Sequence, residues 1–356
     1  MSPSEFRDAT RRLPSALVGA GSRKGFLGAR YNKPPPVARW KAALLVLFIA
    51  PVILLVPYVA LLWDRIDRVS VELTGSPRGG TTYLVIGTDS RAFVSNASEA
   101  RAYGTKDSVP GARADLILAI RVPDGGGAPR LLSIPRDLLV LDEQLGLSRI
   151  TLSYLGGPQG LIDTLCRSLG LGVDHLAIMD FEGFVELIDD VGGIELSLER
   201  GLYDASVSLL LFEGDLLLDG PTALRYLRAR HLQEWDGTQW IPHDEGDDRS
   251  ARARFVLEAF AHRARLSPFD PVDTHRLLWD AAGVMTIDDS AGIFDLEGLG
   301  SALRSVSSAP EARLPVAAHD GPIPWAELQP GASEALEPFM GGGSRCEAAF
   351  PIARPE

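Results

Sequence analysis

Two aspartates and a recurring set of arginines are the residues of this sequence best suited to chemistry. Asp89 stands in Val85-Ile-Gly-Thr-Asp-Ser-Arg91 and Asp115 in Gly111-Ala-Arg-Ala-Asp-Leu116. Both fall at the ends of expected strands or in the loops beside them, where α/β sheets place ligand sites. A lone aspartate in such a loop is most often a turn former. Two that converge can hold a hard cation such as Mg²⁺, which takes one or two carboxylates and completes its shell with water and phosphate oxygens. Arginines accompany them: Arg91, Arg113, Arg136 in Ser133-Ile-Pro-Arg-Asp137, Arg228 and Arg230, then Arg249 and Arg252. Guanidinium forks grip phosphate oxygens in pairs, so several converging on one point would clamp a pyrophosphate. Spacing alone leaves ordinary ion pairing with the abundant acids open. The pair Arg228-Ala-Arg230 puts both side chains on one face only if the backbone there is extended, so a helix is expected to stop near Leu227. No Ser-His-Asp order, HExxH or P-loop occurs, and His175, His262 and His275 are expected to be structural or surface residues.

The elements that must position these groups can be read from apolar periodicity. Thr81–Gly87, Leu116–Val122 and Arg130–Pro135 are short apolar runs bounded by Gly, Pro and Asp, which predicts three buried strands. Gln159–Leu169 places Leu161, Leu165 and Leu169 at i, i+4 and i+8, a helix with one apolar stripe. His175–Phe181 reads as a strand, 182–191 as a helix and 193–198 as a strand. Further helices are expected over 223–227, 249–266, 274–284 and 295–306. Alternating strand and helix predict a three-layer α/β/α domain with a central mixed sheet, assigned to residues 81–308. Residues 309–356 are rich in Pro, Gly and Ala and are expected to form a poorly ordered tail.

Charge divides the chain. Of its 356 residues, those at 1–41 carry nine Lys/Arg against two Asp/Glu, so within a total of −12 the remainder stands at −19. An acidic body argues against nucleic acid as a partner, since that binding neutralises phosphates with a basic surface. From Ala42 to Trp63 run 22 residues without a charge, enough to cross a bilayer core of about 30 Å as a helix. Tyr58 and Trp63 suit its far interface. The run is longer than a signal-peptide core and 41 residues precede it, so a retained transmembrane helix is expected. Residues 1–41 then form a basic, disordered cytoplasmic tail, 64–80 a connector, and the domain lies outside the cell membrane. Cys166 and Cys346 fit no metal spacing; a buried free thiol at Cys166 and a disulfide between the two both remain open.

Taken in order, the motifs resemble those of the LytR-CpsA-Psr family of cell-envelope glycopolymer phosphotransferases. The resemblance rests on Ile86-Gly-Thr-Asp-Ser-Arg91, Arg113-Ala-Asp115, Ser133-Ile-Pro-Arg-Asp137, Val173–Phe184, Asp190-Val-Gly-Gly-Ile194, Leu218–Arg230 and Asp247-Asp-Arg-Ser-Ala-Arg252. It implies that Asp89 and Asp115 bind Mg²⁺, and that Arg113, Arg136, Arg228, Arg230 and Arg252 hold a pyrophosphate, assisted by Arg91 and Arg249. It implies an apolar tunnel under the sheet for a polyprenyl tail, and transfer of the carrier-linked glycan to a peptidoglycan hydroxyl. The catalytic group would be Asp89, Asp115 and Arg113, with Asp89 as proton acceptor. Ala114 and Leu116 stand where hydroxyl residues are usual, Thr151 where an asparagine is common, and Ala253 where a glutamine is. The alternatives are a domain that binds prenyl pyrophosphate without turnover, or an envelope sensor in line with the family's older label of transcriptional attenuators.

Overall fold

The structure, a computed structural model, describes residues 36–89, 112–229, 231–243, 249–264, 271–305, 311–319, 323–340 and 346. Helix α1 (Pro36–Arg65) is followed by β1 (Asp67–Val69), β2 (Gly80–Thr88), β3 (Ala114–Pro123) and β4 (Arg130–Ser133). A hairpin of β5 (Leu139–Asp142) and β6 (Gly146–Arg149) leads to α2 (Ile150–Ser153), α3 (Gly157–Leu169), β7 (His175–Asp180) and α4 (Phe181–Asp190). Short strands come next: β8 (Ile194–Leu198), β9 (Leu202–Asp204), β10 (Leu209–Leu211) and β11 (Gly214–Leu218), then α5 (Gly220–Arg228), β12 (Gln233–Trp235) and β13 (Trp240–Pro242). The chain continues through α6 (Arg249–Arg263), α7 (Pro271–Val284), β14 (Met285–Asp288) and α8 (Ile293–Arg304). It closes with β15 (Glu311–Arg313), β16 (Val316–His319), β17 (Trp325–Leu328) and α9 (Ala332–Leu336).

Seven strands form a mixed central sheet in the order β1-β14-β7-β2-β3-β4-β15. Strand β2 runs parallel to β7 and antiparallel to β3. Its period-2 alternation sends Leu84 and Ile86 to one face, against Leu161, Leu165 and Leu169 of α3. Tyr83 and Val85 go to the other, against Leu299 and Ala302 of α8 and Leu257 of α6. Helices thus cover both faces, and the expected three-layer α/β/α architecture is what the chain adopts. The apolar stripe of α3 accounts for that helix, which stops at Gly170, whose φ of 64° suits a residue without Cβ.

Three expected boundaries are corrected. The connector at 64–80 contains β1, an edge strand of the central sheet paired in parallel with β14. The segment after 309 is part of the domain: β15 joins the sheet beside β4, and Leu314, Ala332, Leu336 and Phe339 are buried in the core beneath it. Cys346 is bonded to Cys166 of α3, which resolves the two open alternatives in favour of the disulfide. Its many Pro and Gly residues disguise this segment, because its elements are only a few residues long. At the other end, helix begins at Pro36, inside the stretch expected to be a disordered tail.

The uncharged run 42–63 lies within α1, where Ile53, Leu54, Leu55 and Val56 expose their side chains. Among the described residues no helix is long and apolar enough to cross a membrane. The last turns of α1 dock on α7: Arg65 Nε donates to the Trp279 carbonyl at 2.9 Å, and Ile66 packs with Ala282 and Ile287.

Candidate functional site at the C-terminal end of β2

The pairing of β2 with β3 determines where the two acids sit. Register runs regularly to Gly87 opposite Leu116, and then Thr88 opposes Ala114, so Asp115 is one residue too many. This β-bulge re-aims the chain next to Asp115, a role bulges often take near ligand sites. Beyond it Asp89 N–H donates to the Arg113 carbonyl at 3.1 Å, and Asp89 Oδ1 accepts from the Arg113 N–H at 2.8 Å. Asp89 is therefore buried and fixed opposite Arg113, with Asp115 two residues further along the same strand. Strand β4 ends with Ser133 opposite Leu118, Ile134 N–H donates to the Ile117 carbonyl, and the continuation brings Arg136 to Asp115: Nη1 meets Oδ1 at 2.5 Å. Arg136 Nε lies 3.6 Å from Asp137 Oδ2, whose other oxygen is 3.2 Å from Arg149 Nη1.

The same end of the sheet receives β7, because Asp180 pairs with Thr88. Asp180 caps α4 by accepting from the Gly183 N–H. Arg228 lies over the ring of the next residue, Phe181, at 4.9 Å from its centre. Helix α5 ends at Arg228, one residue later than expected, and Ala229 is extended at φ −56°, ψ 131°. Arg252 of α6, itself buried, donates from Nη2 to the Ala229 carbonyl at 2.6 Å. The structure thus brings Asp89, Arg113, Asp115, Arg136, Arg228 and Arg252 to one end of the sheet. Arg91 and Arg230 lie outside the described residues, and Arg249 opens α6 with its side chain outside them.

Two of these arginines hold unused donors: Nε of Arg113 and Nε of Arg136 are buried without a hydrogen-bond partner. Buried donors are normally paired, so this is a place where an anionic oxygen would be accommodated. Thr151, noted above as an unusual residue, is bonded through its N–H to the Arg136 carbonyl at 3.1 Å, and its buried hydroxyl is also unpartnered. Nothing in the sequence marked it as a neighbour of Arg136, nor signalled the bulge at Asp115. Among the described residues no group of three or more His, Cys, Asp or Glu forms a metal cage. Two carboxylates on adjacent strands, without sulfur or imidazole, are nonetheless the donor set that suits Mg²⁺ when phosphate and water complete the shell. Of the cavities in the structure, one of about 240 Å³ touches Arg121 and Arg130 and one of about 110 Å³ lies between Asp142 and Arg167. The implied prenyl tunnel has no counterpart in either.

Fold and site together place the chain among three-layer α/β/α proteins that gather aspartates and arginines at one end of a mixed sheet. It belongs to the LytR_cpsA_psr family, whose model matches residues 64–288. A probable cell wall biosynthesis protein, LcpB of Corynebacterium glutamicum, is 30% identical over 260 residues, covering 70% of this chain and 59% of the relative. The chain therefore spans about three-fifths of that relative's length. A LytR-Csp2A-Psr enzyme from Actinomyces oris superposes with a TM-score of 0.62 at 27% identity, over 78% of this chain and 97% of that one. TagT bound to LIIa-WTA has the same fold, with a TM-score of 0.50 at 18% identity over 76% and 95% of the two chains.

Proposed function

We propose that this chain is a membrane-anchored phosphotransferase that moves a glycopolymer from a polyprenyl-pyrophosphate carrier to a peptidoglycan hydroxyl with the help of Mg²⁺. The observation that carries this reading is the pair of buried Nε atoms of Arg113 and Arg136, neither with a hydrogen-bond partner, beside the carboxylates of Asp89 and Asp115. Family membership and the similarity to a cell wall biosynthesis protein and to a TagT bound to LIIa-WTA support the same class of substrate. In this reading the acceptor hydroxyl attacks the phosphorus next to the glycan, and the bond from that phosphorus to the bridging oxygen breaks, leaving polyprenyl phosphate. Asp89, held by the Arg113 N–H, takes the hydroxyl proton. Arg113, Arg136, Arg228 and Arg252 offset charge on the phosphoryl oxygens. Mg²⁺ bound by Asp89 and Asp115 would add a positive charge to the same oxygens.

Topology supports a lipid-borne substrate. Asp67 pairs with Thr286, which is level with Ile178 and through it with Ile86. The junction of α1 with β1 is thus at the sheet end that carries Asp89. With the uncharged run 42–63 as the membrane anchor and its basic N-terminal side in the cytoplasm, the domain would be extracytoplasmic.

The test is native mass spectrometry of the full chain extracted from bacterial membranes. A co-purified polyprenyl phosphate with Mg²⁺ is expected, its occupancy falling at least tenfold in Asp115→Asn. A lipid-free protein that also rejects added prenyl pyrophosphate would overturn the proposal.

A further inference from the structure

The hairpin that joins Arg228 to Arg252 carries two tryptophans, and its neighbours leave them on an open face. Strands β10, β9, β12 and β13 form a four-stranded antiparallel sheet in that order. Its inner face buries Leu202, Leu209 and Leu211 in a core shared with α5 and α6. Alternation then puts the other set outward. Leu210 pairs with Tyr203, Tyr203 with Gln233, Gln233 with Pro242, and one step on Trp235 pairs with Trp240. The three aromatic rings are contiguous: Trp235 to Trp240 is 5.3 Å between centres at 60°, and Tyr203 to Trp240 is 5.4 Å at 40°. Trp235 is 37% exposed and Leu210 50%.

We infer that this face is a platform for the sugar residues next to the phosphate, a carbohydrate-binding surface attached to the arginine cluster. Resting on the function proposed above, the inference assigns the donor glycan, the polymer covalently tied to the pyrophosphate, to Tyr203, Trp235 and Trp240. Sugar rings have an apolar C–H face that lies flat on an indole and a rim of hydroxyls that need hydrogen bonds. The sheet offers both, with the Gln233 amide in the same row as Tyr203 and two residues from Trp235 on the same face. Continuity with the candidate site favours the donor. The strand begins three residues after Arg230, Arg252 Nη2 is bonded to the Ala229 carbonyl, and a glycan leaving a phosphate held there must cross a neighbouring surface. Exposed rings of this size are otherwise unfavourable on a water-facing sheet, which is a second reason to expect them to be covered.

The experiment compares binding of two probes to the full chain in detergent: geranylgeranyl pyrophosphate, and the same lipid pyrophosphate bearing an N-acetylhexosamine disaccharide. Trp235→Leu keeps apolar bulk in the hairpin but cannot stack; Trp235→Phe keeps a ring. The sugar-bearing lipid is expected to lose at least tenfold in affinity with Trp235→Leu and to be largely restored with Trp235→Phe, while the sugar-free lipid binds all three proteins equally. Equal losses for both lipids, or no loss for either, would overturn the inference. If wild type binds neither lipid, the phosphate assignment fails, and the platform is then decided by whether the free disaccharide quenches tryptophan fluorescence in wild type but not in Trp235→Leu.

Discussion

Arg136 illustrates how much one side chain decides here. It is held by Asp115, and its buried Nε, 3.6 Å from Asp137 Oδ2, keeps no hydrogen-bond partner. Lysine would keep the charge but lose the planar fork. Arg136→Lys is therefore expected to lower kcat/KM for transfer by about 10²-fold or more with an unchanged melting temperature, checked by parallel activity and thermal scans. A second residue-scale expectation concerns His175, expected to be a structural or surface residue and found between Asp288 and Asp295 at 3.4 and 3.3 Å. The Asp288 contact is electrostatic rather than a well-formed hydrogen bond. Burial pushes the imidazole pKa down, but Asp288, with Asp295 and Asp174, outweighs it and holds the value above the ordinary one. Asp288, whose burial works against ionisation, is brought down to about 2 by His175, Ser290 and the Leu176 N–H. A raised histidine stabilises fully below its unfolded pKa of about 6.5 and loses that contribution as pH rises through the folded value. A depressed aspartate stabilises above about 3.9 and loses it as pH falls through the folded value. Melting temperature should accordingly be highest between about pH 4 and 6.5, and His175→Gln should flatten the alkaline limb. Identical pH profiles for wild type and variant would contradict this.

At the scale of elements, long periodic segments were legible and short ones were not. The strands around Leu84, Leu118 and Leu132, and the α3 stripe of Leu161, Leu165 and Leu169, fall where apolar spacing predicts them. The 193–198 strand was recognised as a strand, but it pairs with β11 rather than entering the central sheet, because register with distant segments is not written in local pattern. Three- and four-residue strands such as β1, β14 and β15 give too little alternation to detect. The candidate site was legible in residue types, yet the bulge at Asp115 and the buried hydroxyl of Thr151 depend on pairing and packing that spacing cannot show. The C-terminal segment is the clearest case: Leu314, Leu336 and Phe339 are at most 5% exposed, and the Cys166–Cys346 bond closes a separation of 180 residues. Cys346→Ser is expected to cost about 2 to 5 kcal/mol, and truncation at 308 to prevent folding, both read by urea denaturation. A truncated chain with a wild-type midpoint would refute the revised boundary.

For the whole molecule, the distribution of charge and the direction of the strands belong to one account. The body is acidic, so the proposed phosphate binding would have to come from the local arginine cluster rather than from a general positive field. That cluster lies at the sheet end where α1 joins β1. From the same cluster, by way of Arg228 and Arg252, the chain leads into the aromatic sheet that would carry the sugars. The central claim, that the cluster transfers a phosphoryl-linked glycan, is tested most directly by a single-turnover assay. Purified full-length chain, a prenyl-pyrophosphate-linked glycan, soluble peptidoglycan strands and Mg²⁺ are mixed, and released prenyl monophosphate and glycan-bearing strands are counted. Equal amounts of the two products are expected, abolished by chelation of the metal and reduced at least 10²-fold by Asp115→Asn. Undiminished transfer by Asp115→Asn, or no transfer by a wild-type chain that binds the lipid, would contradict it.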